Sequence, residues 1–172
     1  MKLNTISIKK IFYIGGHLGE VSPKLHQSNY TYIYGIINNI SIIDITYTLK
    51  HIKNIIYLIY DISLYKGKIY KILNKMEYLP GHFTNKSSSL YDLVLLLIRE
   101  KKEQILKEAS KMLIPSASLA DTHENTSDID YPIIINNSTS TINLLNSIFT
   151  RSIRKGSIDS VLLFKYKYII RD

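Results

Sequence analysis

The sequence predicts an α/β fold, three layers deep, built on a mostly parallel sheet with an added amino-terminal β-hairpin. Two stretches carry this expectation. From Ile105 to Leu113 the apolar residues Ile105, Leu106, Ala109, Met112 and Leu113 recur at helical spacing, with Lys107, Glu108 and Lys111 between them. That helix is expected to end at Pro115. The short apolar run from Ile114 to Ala120 then reads as a strand covered on both faces, with Asp121-Thr122 at its carboxyl end. A second run, Ile133 to Ile135, leads into Asn136-Asn137-Ser138-Thr139, which can cap a helix carrying Ile142, Leu145 and Ile148 on one face. Strand, loop, strand, helix is the order of a parallel α/β sheet.

The remaining elements follow in chain order. Gly15-Gly16-His17-Leu18-Gly19 has neither the GxGxxG spacing nor the Lys-Ser/Thr of a phosphate-cradling loop, so it does not read as a nucleotide site. Between Ile33 and Ile45, Asn38-Asn39 separates two Ile-rich arms, and Asn tolerates the left-handed conformation that a tight hairpin demands. Thr46 or Thr48 can then cap a helix whose Leu49, Ile52, Ile55, Ile56, Ile59 and Ile62 form a continuous apolar stripe. That stripe is core and implies no cofactor; Lys50 and Lys53 lie off it and read as solvated. Gly67 to Leu73 and Leu93 to Ile98 read as strands. From Arg99 to Lys111 the mixture of Arg99, Lys101, Lys102, Lys107 and Lys111 with Glu100, Glu103 and Glu108 suggests a solvated helix face. Arg151, Arg154 and Lys155 cluster before Gly156, where cations suit a helix end and RNA equally well. Lys165-Tyr166-Lys167-Tyr168 alternates basic and aromatic residues, as a phosphate-gripping, base-stacking segment or an amphipathic edge strand would.

A chain of 172 residues suffices for one domain with a sizeable core. Its formal charge of +8 and pI near 9.4 favour a polyanionic partner, though a membrane surface or an acidic protein fits the same numbers. The absence of cysteine excludes disulfides, thiolate zinc sites and cysteine nucleophiles together. Heavy use of Ile, Asn, Lys and Tyr, with 14 Tyr against 7 Gly and no Trp, is the bias of an adenine- and thymine-rich gene; it points to an organelle-encoded protein, with an AT-rich nuclear or bacterial genome as the alternative. The first residues lack the Arg-rich amphipathic pattern of a transit peptide, and no apolar run reaches the ~18 residues needed to span a bilayer.

Several ordered motifs resemble one family. E-A-S-K-M-L-I-P from Glu108, then Asp121-Thr122, Asp130-Tyr131-Pro132-Ile133 and Asn136-Asn137 are similar to the carboxyl-terminal half of the S-two family of small-subunit ribosomal proteins. His17-Leu18-Gly19, Ser22-Pro23-Lys24 and Tyr32-Ile33-Tyr34-Gly35 resemble its amino-terminal signature, and Tyr78-Leu79-Pro80-Gly81-His82-Phe83-Thr84-Asn85 resembles its Trp-Leu-Pro-Gly loop. The departures are specific. Glu20 stands for the family's second His, Ser22 for an Asn, Ile37 for an Arg, and Ile134-Ile135 for a Pro-Gly step. The resemblance spans roughly residues 11 to 155 and implies a flavodoxin-like domain, residues 1–156, with an extension at 157–172. It also implies that one helix after Leu73 is shortened or absent and that the coiled-coil insertion of the bacterial family after Asn85 is missing. Apolar sheet surface would then be left for another protein, or the segment from Val161 to Ile170, to cover.

In function the resemblance implies a structural part of the small ribosomal subunit, held at the head-body junction by small-subunit rRNA and neighbouring ribosomal proteins, some of them organelle-specific. It calls for no cofactor, metal, membrane or second copy of the chain. The composition adds a mitochondrial ribosome, with a plastid as the alternative. Expected RNA contacts are Lys9, Lys10, His17 and Lys24 near the amino terminus, His82, Thr84, Asn85 and Lys86 in the loop, and Arg151, Arg154, Lys155, Lys165 and Lys167 towards the carboxyl terminus. His17 reads as a hydrogen-bonding turn residue rather than a metal ligand. Asp121, Thr122, His123 and Tyr131 are expected to touch neighbouring proteins. The competing class is a degenerate nucleotide-binding or metal-dependent enzyme using the acidic Asp121, Glu124, Asp128 and Asp130 at a strand's carboxyl end. Histidines at ligand-like spacing are missing from the sequence, so catalysis is not expected.

Overall fold

The computed structural model describes residues 8–73, 78–85, 90–98 and 102–169, the side chains through residue 163. A four-stranded parallel sheet in the order β4-β5-β6-β7 forms its centre: β4 is Ile69–Ile72, β5 Leu93–Leu96, β6 Ser116–Ala120 and β7 Tyr131–Ile134. Alternation of side chains along a strand divides the core into two layers. Leu93, Leu95 and Leu97 join Ala117, Leu119 and Ile133 beneath α2 (Ile45–Leu64) and α5 (Thr139–Ile169). Val94, Leu96 and Ile98 face the other way with Ile72, Ala120 and Ile134, beneath α4 (Lys102–Lys111). Every residue from Leu93 to Leu97 is fully buried, which is why that run reads as continuously apolar rather than alternating.

The amino-terminal element is larger than a hairpin. After α1 (Ile8–Tyr13), β1 (Leu18–Val21) pairs antiparallel with β3 (Ile40–Ile43), which also pairs with β2 (Ile33–Ile37), giving a three-stranded sheet in the order β1-β3-β2. The glycine-rich run around His17 hides β1 from a period-2 reading. The turn between β2 and β3 is the expected one: Asn38 and Asn39 take φ of 49° and 62°.

Helix ends depart from expectation in four places. Asp44 rather than Thr46 or Thr48 caps α2, its carboxylate accepting from the Thr46 amide at 2.8 Å, and the Thr48 hydroxyl reaches across to the Ile134 carbonyl at 2.7 Å. The helix α4 stops at Lys111, before Pro115: Leu113 adopts φ 55° and the Ile114 amide turns back to the Ala109 carbonyl at 2.9 Å. At its start, Lys102 is buried, not part of a solvated face. Finally, α5 passes Gly156 without a break, so this glycine ends nothing, and the segment at 165–168 is helical rather than an edge strand. A Cβ at Gly156 would lie 2.6 Å from Ser63 Cβ and 2.7 Å from the Tyr60 carbonyl, so its small size lets α5 press against α2.

The sheet face expected to be bare is covered by the chain itself among the described residues. Tyr70 on β4 stacks on His82 with ring centroids 4.8 Å apart and packs against Phe83 and Tyr91 at 5.2 and 4.9 Å, the first two belonging to α3 (His82–Asn85). Only four residues, outside the described ones, separate Leu73 from Tyr78. Val161, offered as a cover for this face, is instead exposed on the opposite layer. No described helix is long and apolar enough to cross a membrane.

Candidate functional site: the junction of the two sheets

The carboxyl ends of β6 and β7, where α/β enzymes open a crevice, are occupied here by the small amino-terminal sheet. The Glu20 amide on β1 donates to Thr122 Oγ1 at 2.9 Å, and the His26 amide donates to the Thr122 carbonyl at 3.0 Å. Ser41 on β3 donates its hydroxyl to the Glu20 carbonyl at 2.7 Å. Gly19 makes this approach possible: a Cβ there would stand 2.5 Å from both Ser41 Oγ and Thr122 Cγ2. The His-x-Gly and Asp-Thr motifs are therefore two halves of one contact.

Asn29, fully buried, closes the junction from the side. Its Nδ2 lies 3.0 Å from the Thr122 carbonyl and 2.7 Å from the Glu124 carbonyl, while its Oδ1 accepts from the Thr126 hydroxyl at 2.9 Å. Behind it, Lys102 donates to the Leu119 carbonyl at 2.6 Å and to Glu124 Oε2 at 2.7 Å. Burial pushes the Lys102 pKa down, with Glu124 and then Asp121 opposing that shift. Asp121 accepts from the Thr122 amide at 2.6 Å and lies 3.5 Å from the Asn137 amide.

These contacts correct one expectation. Asp121 and Thr122 are buried and engaged within the chain, so they are not surface contacts for a neighbour; His123, next in the chain, is exposed, as is Tyr131 at the far, amino-terminal end of β7. The sequence did not single out Asn29 or Lys102. For Lys102 a signal existed, since with Ile105, Leu106 and Ala109 it falls at i, i+3, i+4 and i+7 on the buried stripe. Glu20, Asp121 and His123 bring one ligand atom each within 4.8 Å of one another, a spacing that can hold a cation. The Asp121 carboxylate is already shared with the Thr122 and Asn137 amides, and Glu20 pairs with Lys24 at 3.7 Å.

The remaining expected residues are dispersed. Lys9 and Lys10 are exposed on α1, and Lys24 is exposed after β1. His17 sits at a turn: its backbone carbonyl accepts from the Ile43 amide at 2.8 Å and its ring packs on Phe12 at 4.5 Å, while its Nδ1 is buried without a hydrogen-bond partner among the described residues. His82 is drawn into the aromatic cluster, while Thr84 and Asn85 are exposed. Arg151 and Arg154 are exposed on α5 and Lys155 is half-buried. Lys86 and the side chains of Lys165 and Lys167 lie outside the described residues.

The molecule is thus a three-layer α/β domain whose strand ends meet its own amino-terminal sheet. The family described as Ribosomal protein S2 matches residues 12–79 and 70–156, and the chain belongs to that family. Curated relatives named small ribosomal subunit protein uS2 agree. That of Staphylothermus marinus is 46% identical over 64 residues, 36% of this chain and 29% of the relative. Those of Ehrlichia canis and Ehrlichia chaffeensis are 22% and 23% identical over 201 residues, each match taking in 77% of this chain and 69% and 70% of the relative. Because 201 aligned positions exceed a 172-residue chain, these relatives carry stretches with no counterpart here.

Proposed function

We propose that the chain is a structural constituent of the small ribosomal subunit, binding rRNA and neighbouring ribosomal proteins at the junction of head and body, and that it works in organellar translation. The observation that carries this is the family match across residues 12–156, joined to a strand-end crevice filled by Glu20, Ser41 and Thr122. The net charge of +8 supports an RNA partner, with exposed Lys9, Lys10, Arg151 and Arg154 among the contacts. Thr84, Asn85 and Lys86 extend the RNA contact, and His123 and Tyr131 face protein neighbours, some of them organelle-specific. The composition supports a mitochondrial ribosome, with a plastid as the other organelle of the same bias. Residues 1–156 make up the family domain, and 157–172 a carboxyl-terminal extension.

The test is sedimentation of the tagged chain with purified organellar small subunits through a salt series. Co-sedimentation at physiological salt that falls with a slope of ~0.7 to 0.9 per phosphate contact supports the proposal. A chain found wholly free of subunits at physiological salt rules it out.

A further inference from the structure

We propose that the outer face of the seam between α2 and α5 is an RNA-binding surface, on which Lys50, Lys53, Arg151 and Lys155 engage phosphates and Tyr57 stacks on a base. It rests on the ribosomal assignment and adds a surface to it, since Lys50, Lys53 and Tyr57 carry no role in the contacts derived above.

Register brings these residues together. The Ser152 hydroxyl donates to the Ile56 carbonyl at 3.0 Å, the Tyr60 hydroxyl donates to Asp159 at 2.7 Å, and Gly156 lies against Tyr60 and Ser63. The two helices therefore run side by side in the same direction, offset by a constant step in sequence. On α2, Lys50, Lys53 and Tyr57 fall at i, i+3 and i+7 on one exposed face, next to Tyr60 on the flank that meets α5. On α5, Arg151 and Lys155 fall at i and i+4, next to Ser152 and Asp159 on the flank that meets α2. Both sets border one seam.

Charge selects the class of partner. In the layer formed by α1, α2 and α5 the described cations are Lys9, Lys10, Lys50, Lys53, Arg151, Arg154 and Lys155, against the acids Asp61 and Asp159. Four further acids, Asp121, Glu124, Asp128 and Asp130, lie in the loop after β6 and not on these helices. Tyr57, 56% exposed amid these cations, favours RNA over an acidic protein, because a ring beside phosphate-binding side chains offers a stacking platform to an unpaired base. A carboxylate-rich peptide would use the cations and leave the ring without a role.

The experiment uses the full chain and a fluorescein-labelled single-stranded 12-mer of uridine, its binding followed by anisotropy across a salt series. The variant Lys50→Gln/Lys53→Gln/Arg151→Gln is expected to lower the slope of log affinity against log salt by about 2. Tyr57→Ala is expected to weaken binding about tenfold and Tyr57→Phe to restore it, as stacking requires. Lys107→Gln/Lys111→Gln on α4 is the control and should leave the slope unchanged. An unchanged slope in the triple variant, or an equal loss in the α4 control, overturns the proposal. So does competition by polyglutamate as effective as by unlabelled uridine 12-mer together with an indifferent Tyr57→Ala, the outcome for an acidic protein partner. Co-sedimentation separates the two claims: subunit binding by the wild type with no effect of the seam variants sinks only the seam, whereas a wild type that never binds subunits sinks the ribosomal assignment.

Discussion

The Gly81 amide donates to Glu108 Oε1 at 2.7 Å, tying the Leu-Pro-Gly loop to the helix α4. Two motifs 27 residues apart in sequence thus hold each other in place. Burial works against the Glu108 carboxylate, but the nearby Tyr78 hydroxyl, the Gly81 and Phe83 amides and His82 outweigh it and keep its pKa below the usual glutamate value. Burial, followed by that carboxylate, pushes the Tyr78 pKa up. With Glu108 depressed in the folded state, the unfolded chain binds the proton first as pH falls. The stabilisation is therefore complete above the ordinary glutamate pKa and is lost as pH drops through the folded value. Glu108→Ala should cost about 1 to 3 kcal/mol at neutral pH. Urea denaturation of both proteins from pH 7 to pH 3 should show the difference shrinking on the acid side; a constant difference would mean the charge is irrelevant.

Gly19 offers a sharper test of the sheet junction. Ala at this position must displace Ser41 and Thr122, both short side chains with nowhere to swing, so overpacking should cost about 1 to 3 kcal/mol. Gly35 on β2 is the control, since nothing lies within 4 Å of the Cβ it would gain. Gly19→Ala should lower the denaturation midpoint and open residues 18–43 to limited proteolysis, while Gly35→Ala should do neither.

The parallel core was legible because β5, β6 and α4 write their burial directly into apolar runs and a 3.6-residue stripe. The hairpin turn was legible because Asn38-Asn39 needs little beyond its own backbone. What escaped depends on partners distant in sequence: Asn29 is polar and unremarkable until Thr122 and Glu124 surround it, and β1 has too few apolar residues to signal a strand. Lys102 escapes a sequence reading because its charge suggests a solvated face, whereas its place on the apolar stripe of α4 puts it in the interior. Gly156 looked like a helix end because glycine usually is one, whereas here the close approach of α2 explains it.

That approach sets two effects at Gly156 against each other. Ala is intrinsically better than Gly in a helix by about 1 kcal/mol. Against this, its Cβ would press on Ser63 Cβ and the Tyr60 backbone, where overpacking costs about 1 to 3 kcal/mol. Backbone cannot swing away as a side chain can, so the clash should win and Gly156→Ala should destabilise by about 1 kcal/mol. Ser157→Ala, at an exposed neighbouring position, should be neutral or slightly stabilising. A Gly156→Ala protein that melts higher than wild type would show that the seam has room for the added methyl group.

Lys102 and Glu124 form the most deeply placed ion pair among the described residues, with side chains 7% and 18% exposed. Removing one partner of such a pair leaves a poorly solvated charge, so Lys102→Met should cost roughly 3 kcal/mol. Neutralising both, as Lys102→Met/Glu124→Gln, should recover most of that loss, because the penalty comes from the stranded carboxylate rather than from a missing attraction. The pH dependence should carry the same signature. Burial lowers the Lys102 pKa in the folded state, so between that value and the unfolded 10.5 the unfolded chain holds more protons and stability rises with pH. Chemical denaturation between pH 7 and pH 10 should show this rise in the wild type relative to Lys102→Met. A double variant no more stable than the single would instead make the attraction between Lys102 and Glu124, and not the cost of burying either alone, the force that holds the sheet junction together.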